Sequence, residues 1–254
     1  MTLSANKSIT LLALLLVFAL AAVVRIECAC DELWIDEYIT GWTVAESFDE
    51  AAIRARQSNQ SLPYTWMMFG VTRLSGLSPA SIRAPSVICG LAIVALCSWF
   101  AWRLSRHRSA AVLAGFLAAI DPNFVFYSSE ARPYALVQLL GLIGVWSLSE
   151  WLAAPTASKI VRKPLPPIIW IVATVSMFYL HFTSLFAVVA QLIVGSLACI
   201  VNKTVRPGWI IASLMVVLVC LPGLAGVATL YERSDDWQGF SSITSFAQIG
   251  RAHV

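Results

Sequence analysis

Ile168–Val201, IIWIVATVSMFYLHFTSLFAVVAQLIVGSLACIV, is an almost unbroken apolar run of thirty-four residues. As one straight helix it would measure ~51 Å at ~1.5 Å per residue, against a hydrocarbon core of ~30 Å. Lys159, Arg162 and Lys163 precede it and Lys203 and Arg206 follow it. Cytoplasmic loops are the Lys/Arg-rich ones, so a straight span would separate two basic clusters that belong together. A tight hairpin keeps both on one side and puts its tip near Leu180 to Leu185, where His181 sits.

The rest of the chain extends this pattern. It is 59% hydrophobic and 12% charged, with mean hydropathy +0.77, whereas soluble domains carry roughly 25% charged residues. The implied class is an all-α polytopic membrane protein with about seven transmembrane helices. Ile9 to Val24 is the first, with Arg25 placed to snorkel at its end. Ala19-Leu20-Ala21 fits a signal-peptide cleavage site, but the apolar run continues past it and favours an uncleaved helix. Pro85 to Trp102, Ala110 to Phe126 (interrupted by Asp121-Pro122), Tyr134 to Leu152 and Trp209 to Leu230 supply the other crossings, with 231 to 248 an outer loop. The terminal Ile249-Gly250-Arg251-Ala252-His253-Val254 can be spelled by a widely used sequencing adapter. The transmembrane domain over residues 1–248 is therefore expected to continue beyond Gln248 in the natural chain, with 249–254 as read-through.

Between the first two crossings lies an acidic outer loop, 27–84, expected to carry interfacial helices. Trp42, Ala45, Phe48 and Ala52 recur at helical spacing, and Leu62 to Leu74, interrupted by Arg73, suits a surface or re-entrant helix better than a span. Reading it as interfacial collects Lys7, Arg103, Arg106, Arg108, Lys159, Arg162, Lys163, Lys203 and Arg206 on one side, with Glu150 as their only acid. The N-terminus is then cytoplasmic. The six cysteines are too scattered for a disulfide framework; Cys28 and Cys30 flank one residue in the first loop.

Three groups from distant parts of the chain share the outer face in this topology: Asp36-Glu37, Glu130-Ala131-Arg132 and His181. Ionisable residues at a membrane are costly and point to function. Each also has a plainer reading: solvated loop acids, an interfacial ion pair worth ~0–1 kcal/mol, a structural histidine, and, for Tyr127, Tyr134 and Tyr179, an aromatic belt.

The order of motifs goes further. Leu33-Trp34-Ile35-Asp36-Glu37 after the first helix comes before Arg83-Ala84-Pro85-Ser86, and Arg103 to Arg108 follow. Then come Asp121-Pro122-Asn123-Phe124, Tyr127 through Tyr134 (YSSEARPY), and Tyr179-Leu180-His181-Phe182. This series resembles the GT-C superfamily of membrane glycosyltransferases, especially its protein O-mannosyltransferase-like and lipid A aminoarabinose-transferase-like branch, over nearly all of residues 9 to 200. Related sequences usually carry a His-Pro-Pro-like element before the interfacial helix; here the stretch is Asn59-Gln60-Ser61-Leu62-Pro63-Tyr64, so the resemblance assigns no histidine contact there.

The resemblance implies inverting transfer of a sugar from a polyprenyl-phosphate donor to a lipid, glycan or protein acceptor. Transfer would occur on the extracytoplasmic face of a bacterial inner membrane. Asp36 would be the general base, with Glu37 orienting it or pairing with a cation. Arg132, oriented by Glu130, would stabilise the leaving phosphate; His181 would bind it or give it a proton, and Trp34 and Tyr134 would support the site. The acids could recruit a divalent cation, although no metal-ligand spacing stands out. Membrane lipid is an expected partner and nucleic acid is not. A transporter or lipid flippase, an inactive scaffold, and a lipid-linked-glycan polymerase or ligase are the competing classes.

Overall fold

The computed structural model describes residues 2–153, 165–201 and 207–232. The expected outer loop 231–248, the terminal hexapeptide and the basic residues Lys159, Arg162, Lys163, Lys203 and Arg206 lie essentially outside them. Among the described residues the chain is all-helical, and five helical segments are long and apolar enough to cross a membrane. This is an integral membrane protein of the all-α class.

The first crossing is α1 (Thr2–Ala29). It continues past Arg25, so this arginine does not snorkel outward. It is fully buried and donates to the carbonyls of Ala118 and Ala119 at 3.1 and 3.0 Å. Those carbonyls end α6 (Arg108–Ile120), where Asp121 leaves helical geometry and caps α7 (Pro122–Ser129) through the Phe124 N–H, 2.9 Å away. Pro122 suits the first helical position because it has no N–H to lose. The α6–α7 pair is bent by 57° and makes a sixth crossing if counted as one broken span. Arg25 thus satisfies carbonyls that a helix end would otherwise leave bare in an apolar medium.

The connection to the next crossing is shorter than expected and holds more structure. Helix α2 (Ile35–Val44) and α3 (Phe48–Gln57) replace the single helix expected through Trp42 and Ala52. Ser47 interrupts it by accepting the Glu50 N–H at 3.2 Å, an N-cap that favours a fresh start. Helix α4 (Leu62–Ser75) follows. Ile35, Tyr38, Trp42, Phe48, Ile53, Trp66 and Leu74 on these three helices are exposed, a composition suited to the boundary between lipid and water.

Helix α5 (Pro79–Ser105) begins six residues before the expected Pro85 and runs through it. Arg106 closes α5 in the left-handed region at φ 61°, turning the chain directly into α6. Helix α8 (Tyr134–Ala153) is the next crossing. The long apolar run then divides as its basic flanks require. Helix α9 (Leu165–Leu180) stops before His181, a 3₁₀ turn spans Phe182–Ser184, and α10 (Leu185–Val201) resumes. Trp170 and Gln191 lie at similar distances in sequence from that break, and the indole N–H donates to the Gln191 amide oxygen at 2.9 Å. The two helices therefore run antiparallel. With 16 residues, α9 is about 24 Å long, and this shortness leaves the expected seven crossings at five or six by length and composition.

Helix α11 (Pro207–Glu232) closes the bundle. Trp209 meets Trp170 and Trp151 at 5.0 and 5.6 Å between ring centroids, and a side chain at Gly195 would collide with the Trp209 indole. This aromatic cluster secures the end of the bundle opposite His181.

Candidate functional site

Adjacent acids in a helix point about 100° apart, and here that separation gives them different environments. Glu37 faces inward with no exposure. Its two oxygens accept from Arg83 Nε at 2.8 Å and a terminal guanidinium nitrogen at 2.6 Å. They also accept the N–H groups of Ala131 at 2.8 Å and Trp34 at 3.2 Å. Arg83 gives its remaining hydrogen bonds to the carbonyls of Ala29, Asp31 and Glu32. Burial pushes the Glu37 carboxyl up, but the hydrogen bonds from Arg83, Ala131 and Trp34 and the Arg83 charge outweigh it, holding the group below the usual carboxylate range. Glu37 is thus a clamp joining α2, the end of α1, α5 and the turn after α7. That burial leaves its carboxylate no exposed surface.

Asp36 is partly exposed on the neighbouring face, with Arg132 as its ion-pair partner at 3.6 Å. Arg132 also stands over the ring of Tyr134, 5.6 Å from its centroid. Tyr134 in turn packs on His181 with ring centroids 5.0 Å apart. The arrangement joins α2, the turn before α8 and the α9–α10 break. His181 Nδ1 lies 2.6 Å from the Thr183 hydroxyl. Burial, then the Arg132 charge, push the His181 pKa down, so a neutral imidazole is favoured at neutral pH, which suits phosphate binding through one N–H better than proton donation. Trp34 contributes its backbone N–H to the clamp while its ring is exposed.

Glu130 does not orient Arg132 as expected: among the described residues the pair forms no side-chain hydrogen bond or ion pair. Its carboxyl is buried, and Oε2 has no hydrogen-bond partner. Burial and then the nearby Glu37 charge raise its pKa from 4.5 to about 7. A carboxyl that holds its proton more tightly folded than unfolded makes stability fall as pH rises from about 4.5 to about 7. Glu130→Gln is therefore expected to flatten that pH dependence and raise the melting midpoint at pH 8 by a few degrees, at ~2–4 °C per kcal/mol. Thermal unfolding at pH 5 and pH 8 checks both points.

Beside these residues lies a cavity of about 550 Å³. Arg132, His181, Arg56 and Gln60 give it polar character, and Leu62, Leu180, Phe182 and Pro222 give it apolar walls. Asn59 through Tyr64 lines it without a gap. Ser61 donates to the Tyr179 carbonyl at 2.8 Å, and Gln60 donates to Thr40, which bonds the Ala131 carbonyl. The first connection thereby locks both the turn before α8 and the break before α10.

Sequence reasoning missed Arg83 as the partner of Glu37, and Arg56, Gln60 and Tyr64 as cavity residues. The arginine opening a crossing was a usable signal, because a charge entering an apolar segment needs a partner. Among the described residues no group of three His, Cys, Asp or Glu could hold a metal ion, and all six cysteines are free. No family model, curated protein or solved structure matches the chain.

Proposed function

We propose that the protein is an inverting glycosyltransferase that takes a sugar from a polyprenyl-phosphate carrier. One observation carries this reading: Asp36 pairs with Arg132 at 3.6 Å, and Arg132 and His181 line a cavity with apolar walls. Such a site combines a base, a cation for a phosphate and room for an isoprenoid segment. In the step proposed, an acceptor hydroxyl attacks the anomeric carbon from the face opposite the phosphate. Its proton passes to the Asp36 carboxylate, the bond from anomeric carbon to phosphate oxygen breaks, and the electron pair leaves with polyprenyl phosphate. Proton removal during attack makes a poor nucleophile competent. The Arg132 guanidinium stabilises charge as it develops on the leaving oxygen, and a neutral His181 contributes one hydrogen bond.

The site lies at the bundle end opposite Lys7, Arg103, Arg106 and Arg108. By the positive-inside rule that end is extracytoplasmic, and a bacterial inner membrane is the proposed location. The acceptor is a lipid, glycan or protein carrying a hydroxyl or similar nucleophile.

The test is sugar transfer and polyprenyl-phosphate release in membranes containing the protein, native acceptors and a panel of polyprenyl-phosphate sugars. Arg132→Gln is expected to lower turnover ~10²–10³-fold, as loss of a preorganised charge-stabilising donor does. Absence of release across the panel by folded protein would remove this reading.

A further inference from the structure

A second cavity, of about 490 Å³, lies between α1, α5 and α6 at the opposite end of the bundle. Leu11, Leu14, Phe18, Ala95, Trp99 and Ala111 form its apolar walls. Lys7 and Arg108 line it as well, and among the described residues neither forms an ion pair. No acid lines this cavity. Arg108 opens the 13-residue α6, whose N-cap residue, His107, makes no side-chain cap bond, so first-turn N–H groups add their positive potential there.

Thr10 and Ser98 are the hydroxyl residues of this lining. The Ser98 hydroxyl is itself sealed, lying where a side chain on Gly115 of α6 would have to sit. It lies one turn of α5 deeper than Trp102, about 6 Å along the axis. The apolar walls continue at that depth, so an occupant pairs an anionic head at the level of the cations with an apolar tail below it. A phospholipid does so: its phosphate lies at the level of the cations, its ester carbonyls lie a few ångströms deeper, and its acyl chain continues between the helices. Free phosphate would leave those apolar walls uncovered.

We propose that this cavity binds one anionic glycerophospholipid, with Lys7 and Arg108 on its phosphate and an acyl chain between α1 and α5. The site is separate from the one proposed to transfer sugar and does not depend on that assignment.

The purified protein in non-ionic detergent is titrated with phosphatidylglycerol or phosphatidylcholine and followed by native mass spectrometry. One saturable phosphatidylglycerol adduct is expected, at least tenfold stronger than the phosphatidylcholine adduct. A basic residue near a membrane surface gives roughly a fivefold preference for anionic lipid. Lys7→Gln with Arg108→Gln should therefore weaken phosphatidylglycerol binding about 25-fold, whereas Lys7→Arg with Arg108→Lys should retain it. Millimolar inorganic phosphate should not compete. Equal binding of the two lipids, an unchanged affinity in the folded double glutamine variant, or displacement by phosphate would overturn the proposal.

Discussion

Glu37→Ala is expected to lower the thermal unfolding midpoint by about 10 °C, the largest stability effect of any single substitution at this site. The change removes one partner of a buried ion pair, which typically costs ~3–5 kcal/mol because the remaining charge stays in a low-dielectric environment. At ~2–4 °C per kcal/mol for a chain of this size, the midpoint falls by roughly 6–20 °C. The Arg83 guanidinium, 4% exposed at its side chain, would retain carbonyl partners but no counter-charge. The N–H groups of Ala131 and Trp34 would lose their acceptor as well. Glu37→Gln keeps one oxygen acceptor and should fall between wild type and alanine. Replacing Glu37 and Arg83 together by methionine should recover part of the loss, because neither charge then remains stranded. The pH dependence has a definite sign. A carboxyl whose pKa is depressed by folding contributes stability above its unfolded value and loses it as pH falls through the lower folded value. Wild type should therefore show an acid transition that Glu37→Ala lacks, measurable by thermal unfolding in detergent between pH 3 and 7.

Asp36→Asn should give the complementary result, a ~10²–10⁴-fold loss of sugar transfer with an almost unchanged melting midpoint. Its pairing with Arg132 is 3.6 Å long and partly exposed, with side chains 34% and 19% accessible. Exposed pairs of this kind contribute ~0–1 kcal/mol. Asparagine preserves the shape and can still accept a hydrogen bond, but it cannot take the acceptor's proton at neutral pH. Measuring turnover and melting on the same preparation separates the two neighbours. Glu37→Ala should alter both, whereas Asp36→Asn should alter turnover alone. Full turnover by folded Asp36→Asn would assign the proton to another group.

Much of the helix pattern was legible because hydropathy and charge act over many residues. The basic flanks of Ile168–Val201 required a turn near its middle, and the helix ends at Leu180 beside His181. The two helices of the first connection had a local signal that spacing obscured. Ser47-Phe48-Asp49-Glu50 has the Ser-x-x-Glu spacing of a helix start, and Ser47 does cap α3. The inward and outward assignment of Asp36 and Glu37 was not legible. It depends on Arg83, 46 residues away in sequence, and on which face of α2 meets the turn before α8. The separation of Glu130 from Arg132 follows likewise from a backbone turn rather than from residue type. The first connection was expected to begin at 27 because Arg25 resembled a membrane-boundary residue, but carbonyls freed by the Asp121-Pro122 break give that arginine an interior partner.

The Arg25 contact also sets an order of events during synthesis. The first helix emerges with a guanidinium whose later acceptors lie 93 and 94 residues downstream. Until α6 enters the bilayer, that charge, about one turn from the end of α1, must be accommodated by water, headgroups or the insertion machinery. The expected order is that the helix completes its lateral release into lipid only after the chain around Ile120 has been made. A nascent chain halted before that point should remain crosslinkable to the insertion channel through α1, and one halted beyond Ser129 should not.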